Sequence, residues 1–545
     1  MFEKSAHQDS FARDHLPPEA DWPVMRYDTL PELAAYPKRM NCARELLDKG
    51  AERFGDRPAL HYGAETWTYS ELWRRANQIA HVLVEDLGVR PGHRVLLRAP
   101  NNPMYVACWF AVMKVGAVAV ATMPLYRWRE LVYMADTAEI EVGLCDARLK
   151  AEMVETVARA KMLRRVLYFH AEGPDSLEGR MAGKPATFET VDTAADDVCL
   201  IAFTSGTTGV AKGCMHFHRD IIAICDTFGR YVLKPVADDI FTGSPPIAFT
   251  FGLGALVTFP MHVGASTVLV EQYTPDLTLK TIQEKKVTVL FTAPIAYRAM
   301  TDLAPRYDIS SLKKCVSAGE TLPYPIWDGW HKATGLRIID GIGSTEMLHI
   351  FIACEGADIR PGATGKPVPG YEAKVVDGKG RDVLPGTVGR LAVRGPTGCR
   401  YLSNPERQAA YVQDGWNFTG DAYVMDKDGY FWYQARTDDM IVSAGYNISG
   451  PEVEAVLLEH PKVLECAVVS APDRERGHIV KAYVVLRAKG TGDAETVKAL
   501  QDHVKASIAP YKYPRAIEFI DALPRTQTGK VQRFVLRQRA EQQAD

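Results

Sequence analysis

The residues best suited to chemistry fall in four short stretches. The first, Thr204-Ser205-Gly206-Thr207-Thr208-Gly209-Val210-Ala211-Lys212-Gly213, sets three glycines among hydroxyls and a single lysine. Glycine admits positive φ and lets backbone amides come close to a ligand. Amides and hydroxyls donate to anionic oxygens, and an ammonium offsets their charge, so the stretch suits phosphate. It is no Walker loop: Ala211 stands where G-x-x-x-x-G-K-[ST] requires glycine, and Gly213 follows the lysine. The second, Gly341-Ile342-Gly343-Ser344-Thr345-Glu346, reads as a glycine-hydroxyl loop ending in a carboxylate that can hold Mg²⁺, a cation of hard oxygen ligands. The third, Thr419-Gly420-Asp421, reads as a turn with a free carboxylate able to accept from vicinal ribose hydroxyls. The fourth, Pro524-Arg525-Thr526-Gln527-Thr528-Gly529-Lys530, presents a lysine on a glycine-containing loop. Taken singly, each also reads as an ordinary solvated turn.

An apolar run, Val198–Phe203, precedes the first stretch, so that loop is expected to leave the end of a strand. Residues 1–40, rich in proline and charge, read as an extended lead-in over the surface, and a helical pattern begins at Asn41. A hairpin turned at Gly63 and a helix capped by Ser70 come next. Through residue 300 short apolar strands alternate with helical stretches, the pattern of layered α/β architecture with largely parallel sheets. Between about 372 and 434 short strands and turns form a β-rich region. After Asp438 a strand, a helix with proline in its first turn, two more strands and a helix make a small α/β unit. The expected organisation is an N-terminal domain over 1–437 and a C-terminal cap over 438–545. At 545 residues more than one domain is required, and hydrophobic content of 47% with 24% charged residues is that of a globular chain. A net charge of −3 offers no field for nucleic acid, and ten scattered cysteines predict free buried thiols in a reducing compartment rather than disulfides or a zinc site. The N-terminus has no apolar signal segment and the most hydrophobic stretch, Tyr105 to Ala121, is too short to span a bilayer. The cytoplasm is the expected location; monomer and homodimer both stay open.

In this order the four stretches resemble the adenylate-forming superfamily of acyl-CoA synthetases, luciferases and peptide-synthetase adenylation domains, over nearly the whole chain from about Asn41 to Arg533. The departure is Ala211, where the family's phosphate loop usually carries proline. The resemblance implies ATP, Mg²⁺ and coenzyme A, with a small domain that rotates against the large one. It implies that Thr204–Gly209 and Lys212 grip the β- and γ-phosphates, that Thr345 contacts the α-phosphate and that Glu346 is the metal ligand. Ala318, Gly319 and Glu320 with Asp340, Gly341 and Ile342 match the adenine slot, and Asp421 and Arg436 the ribose clamp. Asp438 falls at the hinge and Lys530 at the mobile catalytic lysine. For CoA it implies Ser443, Ala444, Gly445 and Tyr446 along the pantetheine tunnel; Tyr511 and Arg515, with Arg474 and Arg476, are candidates for the nucleotide end.

The residues after the second stretch narrow the acid. Gly343–Phe351 and Phe249-Thr250-Phe251-Gly252-Leu253-Gly254 look like the benzoate-type CoA ligases, and Ser5–Asp14 is similar to the 2-aminobenzoate group. Phe249 and Phe251 suit a flat ring. Gly343 leaves room beside it, and Thr250 and His349 can exchange hydrogen bonds with a substituent, with Ile350 next to them. The expected activity is thus an AMP-forming ligation of an aromatic acid, benzoate or 2-aminobenzoate, to CoA. Alternatives are a medium-chain or other aryl acyl-CoA synthetase, a luciferase-like oxygenase, an adenylation domain serving a carrier protein, and a non-catalytic nucleotide binder.

Overall fold

Apolar runs long enough to be buried on both faces dictate parallel strands covered by helices, and two such sheets form the body of the large domain. The computed structural model describes residues 3–204, 211–437, 439–443, 446–473, 477–488, 492–526 and 529–543. One sheet has six strands in the spatial order Arg165–Phe169, Val142–Asp146, Arg94–Arg98, Val118–Thr122, Val198–Phe203 and Gly213–Phe217. Its neighbours run parallel except the last two, which form an antiparallel hairpin with Phe203 opposite Gly213 and Val198 opposite Phe217. The glycine-rich stretch 204–212 is the connection at that hairpin's closed end.

The second sheet has nine strands, among them Pro58–Tyr62, Ile240–Gly243, Val289–Thr292, Lys314–Ser317, Ile338–Gly343 and Ile350–Ala353. The helix Pro103–Lys114, started by Asn102 accepting from the Tyr105 amide (3.0 Å) and by proline at its first turn, is buried along its whole length. A five-stranded antiparallel sheet contains Glu372–Val376, Val388–Arg394, Trp416–Met425 and Phe431–Arg436. The smaller C-terminal domain holds a three-stranded sheet, Val463–Asp473, Gly477–Leu486 and Ala516–Phe519, with helices Gly450–Glu459, Ala494–Ser507 and Arg533–Gln542 around it.

Four expectations change. The cap of the helix Tyr69–His81 is Thr68, whose hydroxyl accepts from the Glu71 amide at 3.1 Å, because the preceding strand carries extended backbone up to that residue and Ser70 already lies inside the helix. Gly341–Gly343 are not a loop but the end of a strand paired with Ile350–Ala353. A Cβ at Gly341 would meet the Ile350 side chain at 2.8 Å, and one at Gly343 the His349 carbonyl oxygen at 2.7 Å, so the glycines permit close strand approach. Thr419–Asp421 likewise lies within a strand rather than a turn, with Gly420 at φ +79° where the pairing with Val388–Arg394 is irregular. The lead-in is partly built into the body: Phe11, Ala12, Leu33 and Met40 are buried. All ten cysteines are free, as composition predicts, and among the described residues no helix is long and apolar enough to cross a membrane.

Candidate functional site

Backbone pairing at the hairpin's closed end sets the first element of the site. The Thr204 amide donates to the Lys212 carbonyl (2.9 Å) and the Lys212 amide to Thr204 Oγ1 (3.3 Å), pinching the base of the glycine-rich connection. Ser205–Gly209 lie outside the described residues. Tyr133 donates to the Ala211 carbonyl at 2.9 Å, which holds the position where proline was expected. Lys212 reaches over the Tyr401 ring, its Nζ 5.8 Å from the centroid, and the Tyr401 hydroxyl donates to Glu346 Oε1 at 2.6 Å. Burial beside Glu346 pushes the Tyr401 phenol far above its ordinary range, so it stays protonated and a donor. The lysine of the first stretch and the carboxylate of the second are thus brought together by a tyrosine that has no signature in the sequence.

The turn carrying Thr345 and Glu346 is fixed from beneath. His216, fully buried on the strand Gly213–Phe217, donates through Nε2 to the Thr345 carbonyl (2.8 Å). Its Nδ1 faces Asp220 at 3.8 Å, and Asp220 accepts from Arg400 at 2.8 Å, both side chains wholly buried. Burial alone would raise the Asp220 carboxyl; Arg400 and His216 hold it down at about 2. Ser344 Oγ accepts from the Met347 amide at 3.1 Å and closes the turn.

Three carboxyls with raised pKa values follow. Asp340, opposite Ser317 in the ladder, has an Oδ1 that is buried with no hydrogen-bond partner among the described residues. Burial lifts its carboxyl well above the ordinary range. Asp421 pairs across its strand with Arg436, Oδ1 to Nη1 3.3 Å, yet burial still raises it. Glu320 is also raised by burial, against the pull of Arg525, Arg533 and Lys530. Arg525 belongs to the C-terminal domain and its Nη1 is 3.7 Å from Glu320 Oε1. Lys530 is exposed, its amide bonded to Thr526 Oγ1 at 3.1 Å, and its charge acts on both Glu320 and Asp421. The fourth stretch therefore lies over the third. Ala318 is buried and Gly319 exposed at φ +91°, with nothing within 4 Å of where its Cβ would stand, leaving open space beside the acids.

His349 is 2% exposed, and neither ring nitrogen has a hydrogen-bond partner among the described residues. Its imidazole sits among the rings of Phe228, Phe251 and Phe259 at centroid distances of 5.3, 5.7 and 4.6 Å, and burial lowers its pKa to about 3. Phe249 and Phe251 are half-buried at the start of the helical run from Thr250, which is itself buried. Ile350 is spent on covering Gly341, and the space beside Gly343 is filled by the His349–Ile350 backbone rather than left free. Among the remaining expected residues, Ser443 is buried at a strand end, while Asp438, Ala444, Gly445, Arg474 and Arg476 lie outside the described residues, as does the Tyr446 side chain. Tyr511 is exposed and its carbonyl accepts from Arg515 at 3.3 Å, whose guanidinium lies over Tyr513.

A pinched glycine-rich hairpin, a carboxylate beside its lysine and a second domain bringing a lysine over buried acids define an adenylate-forming enzyme. The chain belongs to the AMP-binding enzyme family: the family's main domain matches residues 47–401 and its C-terminal domain residues 452–530. Benzoate–CoA ligase of Thauera aromatica is 34% identical over 522 residues, 94% of this chain and 99% of the relative. Mitochondrial acyl-coenzyme A synthetase ACSM3 of Mus musculus is also 34% identical, over 92% of this chain and 91% of that protein. Among solved structures, the anthranilate CoA ligase AuaEII in complex with anthranoyl-AMP superposes with a TM-score of 0.90 at 35% identity, over 94% of this chain and 99% of that one. A benzoate CoA ligase from Burkholderia xenovorans LB400 gives 0.83 at 31%, over 91% and 100%. The protein is an adenylate-forming acyl-CoA ligase, an enzyme class that uses ATP, Mg²⁺ and CoA.

Proposed function

We propose that the acid is a benzoate-type aromatic carboxylate, benzoate or 2-aminobenzoate, converted through its adenylate to the CoA thioester. The observation that carries this reading is the cage around His349: phenylalanine rings on several sides and an imidazole kept neutral with both nitrogens unsatisfied. Aromatic walls favour a flat ring by offset and edge-on stacking. A neutral imidazole with unsatisfied nitrogens is a partner for an amino or hydroxyl substituent. The similarity to ligases of benzoate and anthranilate supports the same reading.

At the nucleotide end, the orphaned Asp340 Oδ1 fits an acceptor for the exocyclic amine of adenine, and Asp421 with Arg436 fits the ribose hydroxyls. Thr204 and Lys212, with the hydroxyls between them, take the outer phosphates, and the Thr345 hydroxyl the inner one. Glu346 keeps carboxylate oxygen for Mg²⁺ beyond the bond it accepts from Tyr401, and the donor type fits that cation. When bound, Mg²⁺ offsets phosphate charge. The carboxylate of the acid attacks the α-phosphorus and pyrophosphate leaves. Two anions meet there in a site of low effective dielectric, and Lys530 lowers the cost of the charge that develops. We place the domain boundary at Asp438; rotation about it withdraws Lys530 and brings the stretch around Gly445 to the thiol's path. The cytoplasm remains the location we favour.

The test is initial-rate measurement of thioester formation across ring-substituted benzoates and straight-chain acids of four to ten carbons. Highest kcat/KM for benzoate or 2-aminobenzoate supports the reading. A maximum at hexanoate or octanoate would move the protein to medium-chain acids.

A further inference from the structure

A second set of donor groups converges at the open end of the hairpin, opposite the glycine-rich connection. Cys42, Cys199 and His218 each offer one ligand atom, and the three atoms lie within 4.8 Å of one another. All three residues are completely buried. They come from separate elements. Cys42 lies at the start of the first long helical segment, Cys199 on the strand Val198–Phe203, and His218 opens the helix His218–Ile224 directly after the hairpin's second strand. His218 Nδ1 faces the thiol, 3.3 Å from Cys42 Sγ, and accepts from the Cys42 amide at 3.2 Å.

The surroundings are short of hydrogen-bond partners as well. Among the described residues His218 Nε2 is buried without one, and so are both ring nitrogens of the neighbouring His7. His7 is held in place by its own strap: the Ala6 amide and Arg13 both bond Asp197, the residue preceding the strand (2.9 and 3.2 Å). Two thiols and an imidazole sealed from water within reach of one another are a costly grouping unless something binds them.

We propose that Cys42, Cys199 and His218 together bind one zinc-class divalent cation. Thiolate and imidazole donors select Zn²⁺, and the set contains no carboxylate to favour Mg²⁺ or Ca²⁺. Tetrahedral zinc separates its sulfur and nitrogen ligands by about 3.5–4 Å, so the cluster needs little closure. Binding forms two metal–sulfur bonds and a bond to Nδ1, displaces the Cys42 amide from that nitrogen, and releases two thiol protons to solvent. The cation fastens the first helical segment to the base of the strand pair that flanks the glycine-rich connection. Ligands at positions 42, 199 and 218 have none of the short spacings by which sequence reveals such sites.

The full-length reduced protein, freed of metal, is titrated with Co²⁺ as a spectroscopic stand-in for zinc. The expected result is one equivalent bound with thiolate-to-cobalt charge-transfer absorption and tetrahedral d–d bands, abolished by added Zn²⁺. Cys199→Ser and His218→Gln lose the thiolate band, whereas Cys214→Ser, which removes a buried thiol near Glu346, keeps it. Wild-type protein with no thiolate band overturns the proposal, as does a band that survives in a folded Cys199→Ser variant. A Cys42–Cys199 disulfide found by peptide mapping in place of bound metal also overturns it.

Discussion

The two ends of the site are held by opposite means. At the proposed nucleotide end the groups are polar, from buried Tyr401 and Asp421 to exposed Lys530, and are held by hydrogen bonds, ion pairs and ring contacts: Lys212, Tyr401, Glu346, Asp421, Arg436 and Lys530. At the proposed acid end they are apolar rings packed around a histidine that burial keeps neutral. Electrostatic groups act on the charge that develops during reaction, while a packed cage acts on shape. Damage to the first is expected to appear as lost rate, and damage to the second as altered choice of acid.

The largest effect tests the scaffold under the nucleotide end. Arg400→Met leaves Asp220 buried without its cation and is expected to cost about 3–5 kcal/mol of stability, read by denaturant unfolding. Arg400→Met with Asp220→Asn recovers much of that loss; no recovery would break the assignment of Asp220 and Arg400 as a pair. Next, Lys530→Ala is expected to cost about 3–4 kcal/mol in acid-dependent pyrophosphate release. It should still convert supplied aroyl-adenylate and CoA to thioester. Asp438→Pro is expected to do the reverse, because proline fixes φ at the hinge. Equal loss of both half-reactions in either variant removes the role given to it. Tyr401→Phe withdraws one hydrogen bond to a carboxylate and is expected to cost about 1.5–3 kcal/mol in adenylation, read as kcat/KM for ATP.

The smallest effects belong to the cage. His349→Leu keeps volume and apolar contact, so benzoate turnover is expected to persist while 2-aminobenzoate loses its advantage. The pH dependence follows from the lowered pKa. Unfolded histidine takes a proton below about 6.5, whereas folded His349 does so near 3, so the unfolded state binds more protons between those values. Its contribution is present above 6.5 and is lost as pH falls toward 3. His349→Leu is therefore expected to flatten the fall of melting temperature on the acid side; an unchanged slope would contradict a buried neutral imidazole.

The stretches proposed for the nucleotide could be picked out because their residues are contiguous. Glycines, hydroxyls and a lysine around 204–213, and a carboxylate after 341–345, suit phosphate and metal by type and spacing. Parallel strands such as Val118–Thr122 and Val142–Asp146 are equally plain, as apolar runs buried on both faces. What sequence hid was made by distant pairing. Tyr401 and Arg400 meet Glu346 and Asp220 through the fold, with no local pattern to mark them. Gly341 and Gly343 looked like loop residues because close approach of two strands and positive φ demand the same amino acid. Gly343 then seemed to leave space that the returning backbone in fact occupies.

One competition assay bears most directly on the central claim. Benzoate, 2-aminobenzoate and octanoate are mixed in equal amounts with limiting CoA and MgATP, and thioesters and nucleotides are quantified together. The account predicts AMP as the nucleotide product, matched mole for mole by aroyl-CoA, with octanoyl-CoA a minor species. A thioester pool dominated by octanoyl-CoA, or ATP converted to ADP, would contradict it.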